Sequence, residues 1–316
     1  MAFKVLNPNP LSSEAEQLLN EHGIEVIRLS GPEKSDIIKD ISDVDALVVW
    51  KSPNYTIDSE IIDAGKNLKL IARFGVGMEI VDVAYAKEKG IVVTNTPTSN
   101  SNAVAELAIY LLIASAKNAH LVDRRFRGGE FKTIWKTNAV ELEGKTLGII
   151  GPGHIGQLVA KKAKYGFGMK VLGYNPHPNA VFIEEIEKAD SLEVLLTQSD
   201  FVSIHVPATD ETIGMIGAEQ FKLMKNTAFL INTARGQIVK EDALIEALQQ
   251  GVIAGAGLDV FTQEPPAKDN PLFTLDNVVV TPHYGGFTDA AVAKTGIQVA
   301  ESIIAVSEGR EPAFKL

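Results

Sequence analysis

The sequence predicts an α/β protein of two doubly wound parallel-sheet domains, and three observations carry that reading. Short apolar runs alternate with helix-like segments through the first hundred residues, the alternation restarts at Lys145 after one long and mostly apolar segment, and a glycine turn follows the first apolar run of the restart. At 316 residues the chain suits two domains of roughly 100 to 200 residues each. Two domains imply a cleft between them.

The elements follow in order. "FKVLN", "EVIRL", "ALVVW", "KLIARFG" and "IVVTN" read as strands, separated by the helix-like "SEAEQLLNEHG", "DSEIIDAGKNL" and "VDVAYAKEKG". The run "NAVAELAIYLLIASAKNAHLVDRRFR" from Asn102 predicts one helix of six or seven turns, with Asn100, Ser101 or Asn102 as its cap. A polar, irregular stretch extends through Glu143, and "KTLGIIG", "KVLGYN", "FVSIHVP", "TAFLINTA" and "VVVTPH" then supply the second set of strands. A last amphipathic helix, about Asp289 to Glu308, is expected to return to the first domain.

Composition removes several function classes. Thirty basic residues against forty acidic ones leave a formal charge of −10, which disfavours nucleic-acid backbones and anionic membrane surfaces as partners. Without cysteine there is no disulfide framework, thiolate metal site or cysteine nucleophile. The N-terminus lacks the apolar stretch of a signal peptide, and no run of about 18 apolar residues occurs. A cytoplasmic location is the expectation. None of the six histidines stands in a metal-ligand pattern.

"GIIGPGHIG" places Gly151, Gly153 and Gly156 in a G-x-G-x-x-G pattern between a strand and a helix. The first glycine permits the tight turn, the second lets a pyrophosphate approach the backbone, and the third lets helix and strand pack closely. The anion then rests on the helix N-terminus, where the backbone of His154 and Ile155 matters more than their side chains. Nineteen residues past Gly156, where a ribose-binding acid is usual, stands Asn175. An amide still hydrogen-bonds a hydroxyl but does not repel a 2′-phosphate. NAD or NADP, with relaxed selectivity, is therefore expected; His177 is the nearest candidate cation, mostly neutral near pH 7.

Three further stretches carry charges just past apolar strands: "INTARGQIV", "GAGLDVFTQEPP" and "VVVTPHYGG". Strand ends line the ligand crevice of an open parallel sheet, so Arg235, Glu264 and His283 are candidates to converge there. Together they suffice to reduce a 2-oxo acid: a guanidinium clamps the carboxylate, an imidazole delivers the proton, and a carboxylate holds that imidazole. The hydride comes from the cofactor.

At these residues the sequence resembles the D-isomer-specific 2-hydroxyacid dehydrogenase family, which includes phosphoglycerate dehydrogenases, glyoxylate and hydroxypyruvate reductases and some D-lactate dehydrogenases. The likeness spans the chain and is carried by "RFGVGMEIVD", "NAVAELAIYLLIA", "GIIGPGHIG", "HVPATDET", "NTARGQIV", "GAGLDVFTQEP" and "TPHYGG". It implies a Rossmann-type cofactor domain, residues 100–286, inserted into a flavodoxin-like substrate domain, residues 1–99 and 287–316. It also implies that Arg235 clamps the substrate, that His283 is the acid in reduction and the base in oxidation, and that Glu264 raises the histidine's pKa. Backbone N–H groups of Val76 and Gly77 are implied to hold the substrate carboxylate, Asp259 to accept from the nicotinamide carboxamide, and Val206, Pro207, Thr212 and Ala234 to line the cofactor. Lys51 occupies a position where a basic residue often faces the substrate, and Trp135 one that in some members reaches a neighbouring subunit's site.

Asn175 and Pro152 depart from the common pattern, and no C-terminal regulatory extension follows, so serine-type feedback is not expected. The favoured substrate is an unphosphorylated 2-oxo acid such as glyoxylate, hydroxypyruvate or pyruvate. D-3-phosphoglycerate dehydrogenase activity is the rival, with Lys51, Arg127 and Lys132 as the available cations. Formate or phosphite oxidation is a further enzymatic alternative, and a dinucleotide-sensing, corepressor-like binding protein is the alternative from another class. The apolarity of the long helix predicts a homodimer, and two domains predict hinge motion.

Overall fold

The computed structural model describes residues 2–52, 54–132, 139–177 and 180–316. The chain divides into two compact units, Met1–Asn100 with Phe287–Leu316, and Ser101–Gly286. In the first unit the strands are β1 (Lys4–Asn7), β2 (Glu25–Arg28), β3 (Ala46–Val49), β4 (Leu70–Arg73) and β5 (Val92–Thr94). Helices α1 (Ser13–Glu21), α2 (Lys34–Asp40), α3 (Ser59–Ala64) and α4 (Val83–Glu88) connect them. The strand order is β2-β1-β3-β4-β5, parallel throughout.

Successive side chains of a strand point to opposite faces, so a sheet covered on both sides needs apolar residues at consecutive positions. Val5 and Leu6 of β1 show this: Val5 belongs to the core cluster on one face, with Leu19 and Leu70, and Leu6 to the cluster on the other, with Ile37, Ile61 and Ile71. Polar side chains cap the helices of this unit. Ser12 accepts from the Ala15 N–H at the start of α1, and Asp58 from Ile61 N–H at the start of α3.

The second unit begins with α5 (Ser101–Ala116) and α6 (Ala119–Arg127). The single long helix expected here is two helices, because Asn118 lies in the left-handed region at φ 50 and breaks the hydrogen-bond ladder. The remaining elements are β6 (Thr146–Ile150), α7 (His154–Phe167), β7 (Lys170–Tyr174), β8 (Glu187–Lys188), α8 (Leu192–Gln198), β9 (Phe201–Ile204), α9 (Ala218–Leu223), β10 (Phe229–Asn232), α10 (Glu241–Gln249), β11 (Gly255–Leu258) and β12 (Val278–Val280). They form one parallel sheet in the order β12-β11-β10-β9-β6-β7-β8. The order in which strands are added reverses between β6 and β9, the switch point at which such sheets bind ligands.

The apolarity of α5 has an explanation inside its own unit. The helix lies against α7 and across β10, β11 and β12, with Leu111 and Leu112 buried and Gly257 of β11 leaving room for Leu111. On α5 Tyr110 remains exposed, and Phe126 and Phe131 further along the chain are exposed as well. The last helix, α11 (Asp289–Ser307), packs on α1 and β4 of the first unit and buries Val299 and Ile303 there. Among the described residues no helix is long and apolar enough to cross a membrane.

Candidate active site

The glycine turn leaves β6 with Gly151 at φ +87, a backbone conformation that favours glycine. A Cβ on Gly151 would stand 2.6 Å from a methyl of Val206 at the exit of β9, and one on Gly156 would stand 2.6 Å from the Gly151 carbonyl oxygen. A Cβ on Gly153 would meet nothing within 4 Å. Thus two of the glycines answer to packing, while Gly153 borders open space at the helix start. Helix α7 begins at His154, and the N–H groups of His154, Ile155 and Gly156 have no partner among the described residues. These donors and the helix dipole form an anion-binding end. Pro152 is buried and its carbonyl accepts from Gln157; its missing N–H falls just before this donor set.

Asn175 follows β7, and its Oδ1 accepts from the His177 backbone N–H at 2.9 Å. This is an Asx turn: the amide fixes its own loop and carries no charge. On the neighbouring exit, Val206 is buried, Pro207 is exposed, and Thr212 donates its hydroxyl to the Pro207 carbonyl at 2.6 Å, closing the segment between them. His205 donates its backbone N–H to Ile150, and its ring pairs with Ser203 at 2.8 Å. Although His205 keeps some accessible surface, burial pushes its imidazole down to about 4.

Arg235, Glu264 and His283 follow three adjacent strands, β10, β11 and β12. The Arg235 loop is braced by Asn232, which is 1% exposed: its Nδ2 donates to the Arg235 carbonyl at 2.9 Å and its Oδ1 accepts from Ala234 N–H at 3.0 Å. Gly236, next in the chain, packs directly on the following loop, since a Cβ there would lie 1.9 Å from the carbonyl carbon of Phe261. Glu264 accepts from Phe261 N–H through Oε1 at 3.2 Å, and its Oε2 lies 2.6 Å from Nδ1 of His283. His283 sits at φ 55, a strained conformation for a non-glycine residue.

Asp259 over-determines that strain. It is 2% exposed, its carbonyl accepts from His283 N–H, and its carboxylate accepts from the Thr281 hydroxyl and from the N–H groups of Tyr284 and Gly285 at 2.7 and 3.0 Å. Both carboxylate oxygens are thus engaged with the histidine's own loop. Sequence reasoning missed this bracing, as it missed Asn232, because an apolar strand ending in one polar residue looks the same whether that residue faces ligand or chain.

In the first unit, Val76 and Gly77 lie in the loop after β4, with Val76 37% exposed. Lys51 follows β3 and is exposed. Beside it, Trp50 stacks on Phe74 at 3.8 Å and donates its indole N–H to Asn7, a fully buried residue at the end of β1. Arg127 on α6 is paired with Asp123. Trp135 lies outside the described residues. Among the described residues no group of three or more His, Cys, Asp or Glu is placed to hold a metal ion.

Residues 109–285 match the family model for "D-isomer specific 2-hydroxyacid dehydrogenase, NAD binding domain". The D-3-phosphoglycerate dehydrogenase of Methanocaldococcus jannaschii is 44% identical over 97% of this chain, which spans only 58% of that longer protein. The hydroxypyruvate reductase of Thermotoga maritima is 43% identical over 95% of this chain and 97% of its own length. A solved structure of an acyclic imino acid reductase in complex with NADPH and D-Arg superposes with a TM-score of 0.86 at 32% identity, covering 99% of this chain and 100% of that one. A parallel sheet with its glycine turn at the switch point, a positioned His–Glu pair and these likenesses along nearly the whole chain converge on one assignment: the chain belongs to the D-isomer-specific 2-hydroxyacid dehydrogenase family.

Proposed function

We propose that the protein reversibly reduces a small, unphosphorylated 2-oxo acid of the glyoxylate, hydroxypyruvate or pyruvate type to the D-2-hydroxy acid, using a nicotinamide cofactor. The observation that carries this is the 2.6 Å contact between Nδ1 of His283 and Oε2 of Glu264, one strand away from Arg235. The bound cofactor supplies or accepts the hydride. Arg235 clamps the substrate's carboxylate and carbonyl through its forked guanidinium. With Nδ1 held by Glu264, His283 uses Nε2 to give a proton to the carbonyl oxygen in reduction and to take it back in oxidation. Glu264 balances the imidazolium charge, and the N–H groups of Val76 and Gly77 take the substrate carboxylate. The N–H groups of His154, Ile155 and Gly156 hold the cofactor's pyrophosphate.

Asn175 supports use of both NADH and NADPH. Its amide carries no charge to repel a 2′-phosphate, and its oxygen is already engaged by His177. Initial rates with both cofactors and a panel of glyoxylate, hydroxypyruvate, pyruvate and 3-phosphohydroxypyruvate test the proposal. Reduction of none of them would overturn it. The phosphorylated substrate is the second reading, favoured by the likeness to phosphoglycerate dehydrogenases; against it, Arg127 is already paired.

A homodimer completes the proposal. Phe126 and Phe131 are 57% and 58% exposed with ring centroids 6.0 Å apart, and Tyr110 on α5 is 54% exposed, an aromatic surface of the kind that marks association. A monomeric mass by light scattering at micromolar concentration would remove it.

A further inference from the structure

The loop after β4 turns the carbonyls of Phe74, Gly75, Val76 and Gly77 toward its own unit. The Phe74 and Gly77 carbonyls accept from the guanidinium of Arg73, the latter from Nε at 3.0 Å; the Gly75 carbonyl accepts from Thr96 N–H at 3.1 Å; and the Val76 carbonyl accepts from Asn95 Nδ2 at 2.9 Å. Arg73 is 8% exposed and also donates from Nη1 to the Val49 carbonyl at 3.0 Å, which ties the loop to the end of β3. Gly75, at φ +133, lets the chain pass over the guanidinium, and its N–H donates to the Thr96 hydroxyl at 3.1 Å.

In a planar trans peptide the carbonyl of one residue and the N–H of the next point in opposite directions. Capture of the Gly75, Val76 and Gly77 carbonyls therefore turns the N–H groups of Val76, Gly77 and Met78 the other way. Among the described residues none of these three donors has a hydrogen-bond partner. Successive backbone N–H groups that face outward form a concave, anion-binding nest.

We propose that Arg73 and Asn95 are positioning residues for substrate, which act by holding the loop carbonyls so that the N–H groups of Val76, Gly77 and Met78 present a preformed cradle to the substrate's carboxylate. The assignment rests on the 2-oxo acid reading above. Arg73 works from beneath the loop through backbone carbonyls, and its charge adds long-range attraction for the anion. Asn95 contributes one donor and no charge, so the two separate orientation from electrostatics.

The test is steady-state kinetics with the best 2-oxo acid, together with titration calorimetry of oxalate and of NADH. Variants are Arg73→Met, Arg73→Lys, Asn95→Asp and Asn95→Ala. Arg73→Met is expected to raise KM and the oxalate Kd at least thirtyfold while changing kcat and NADH Kd less than about threefold. Arg73→Lys restores part of this loss, since an ammonium reaches fewer carbonyls. Asn95→Ala is expected to raise KM about fivefold, and Asn95→Asp considerably more, because it sets a carboxylate against the Val76 carbonyl. If Arg73→Met does not fold, the Asn95 pair decides. Folded variants whose KM and oxalate Kd stay within twofold of the parent overturn the proposal, as does an equal loss in kcat and NADH binding. A parent protein that neither reduces any 2-oxo acid nor binds oxalate instead overturns the reading on which the proposal rests.

Discussion

Nδ1 of His283 lies 2.6 Å from Oε2 of Glu264, and the other oxygen of that carboxylate accepts from the Phe261 backbone N–H. The group that orients the imidazole is itself anchored. Replacing Glu264 with Gln keeps the shape and one acceptor for the ring N–H but removes the charge that balances an imidazolium. We expect kcat/KM for reduction to fall by 10- to 100-fold, about 1.4 to 2.7 kcal/mol of transition-state stabilisation, with NADH affinity unchanged. A loss under threefold would mean that geometry alone suffices.

Gly236 is fixed by its neighbours. With a Cβ 1.9 Å from the Phe261 carbonyl carbon and 2.1 Å from its oxygen, Gly236→Ala must push the Arg235 loop away from the one that carries Glu264. The expected cost is about 2 to 3 kcal/mol in urea unfolding, with a loss of activity larger than the loss of folded protein. An unchanged unfolding midpoint would show that the two loops are not in contact.

The proposed use of both cofactors rests on the charge that Asn175 lacks. The parent is expected to use NADH and NADPH with kcat/KM within about tenfold, about 1.4 kcal/mol. Asn175→Asp is expected to lower the NADPH value at least a hundredfold and leave NADH nearly unchanged, since the added charge opposes only the 2′-phosphate. A thousandfold NADH preference in the parent would show that the neutral amide discriminates by hydrogen bonding or packing.

His205 predicts a pH dependence of stability. Its folded-state pKa of about 4 lies below the ordinary value of 6.5, so between these values the unfolded chain binds the extra proton and stability rises with pH. The contribution is complete above about pH 6.5 and is lost as pH falls toward 4, by about 3 to 4 kcal/mol in total. The difference in urea midpoint between pH 7 and pH 5 should shrink in His205→Gln. An equal difference in both proteins would assign the acid sensitivity to other groups.

Much of the fold was legible in the chain because it is written in local patterns. Apolar runs of four to five residues between helix-like segments point to parallel strands buried on both faces, and the spacing of Gly151, Gly153 and Gly156 after one of them marks a tight strand-to-helix turn. Arg235, Glu264 and His283 stood out because charges directly past apolar strands have little structural reason to be there. The long helix was harder to read. A segment apolar on all sides does not say which of its faces lies on its own sheet, and only the packing of α5 on α7 and on β10 to β12 shows which face is covered within its unit. The break at Asn118 was equally hidden, since one left-handed residue has no periodicity to betray it.

By itself the sequence determined most of the element order, short of α2, β8 and β11, together with the glycine turn and the identity of the charged residues at the strand ends, because each depends on neighbours a few positions apart. Tertiary structure alone decided what holds those residues in place. Asp259 reaches Thr281, Tyr284 and Gly285 across more than twenty positions, and Asn95 reaches Val76 across nineteen. Such hydrogen bonds satisfy buried donors and acceptors between segments that only the folded sheets bring together, and no local pattern specifies them.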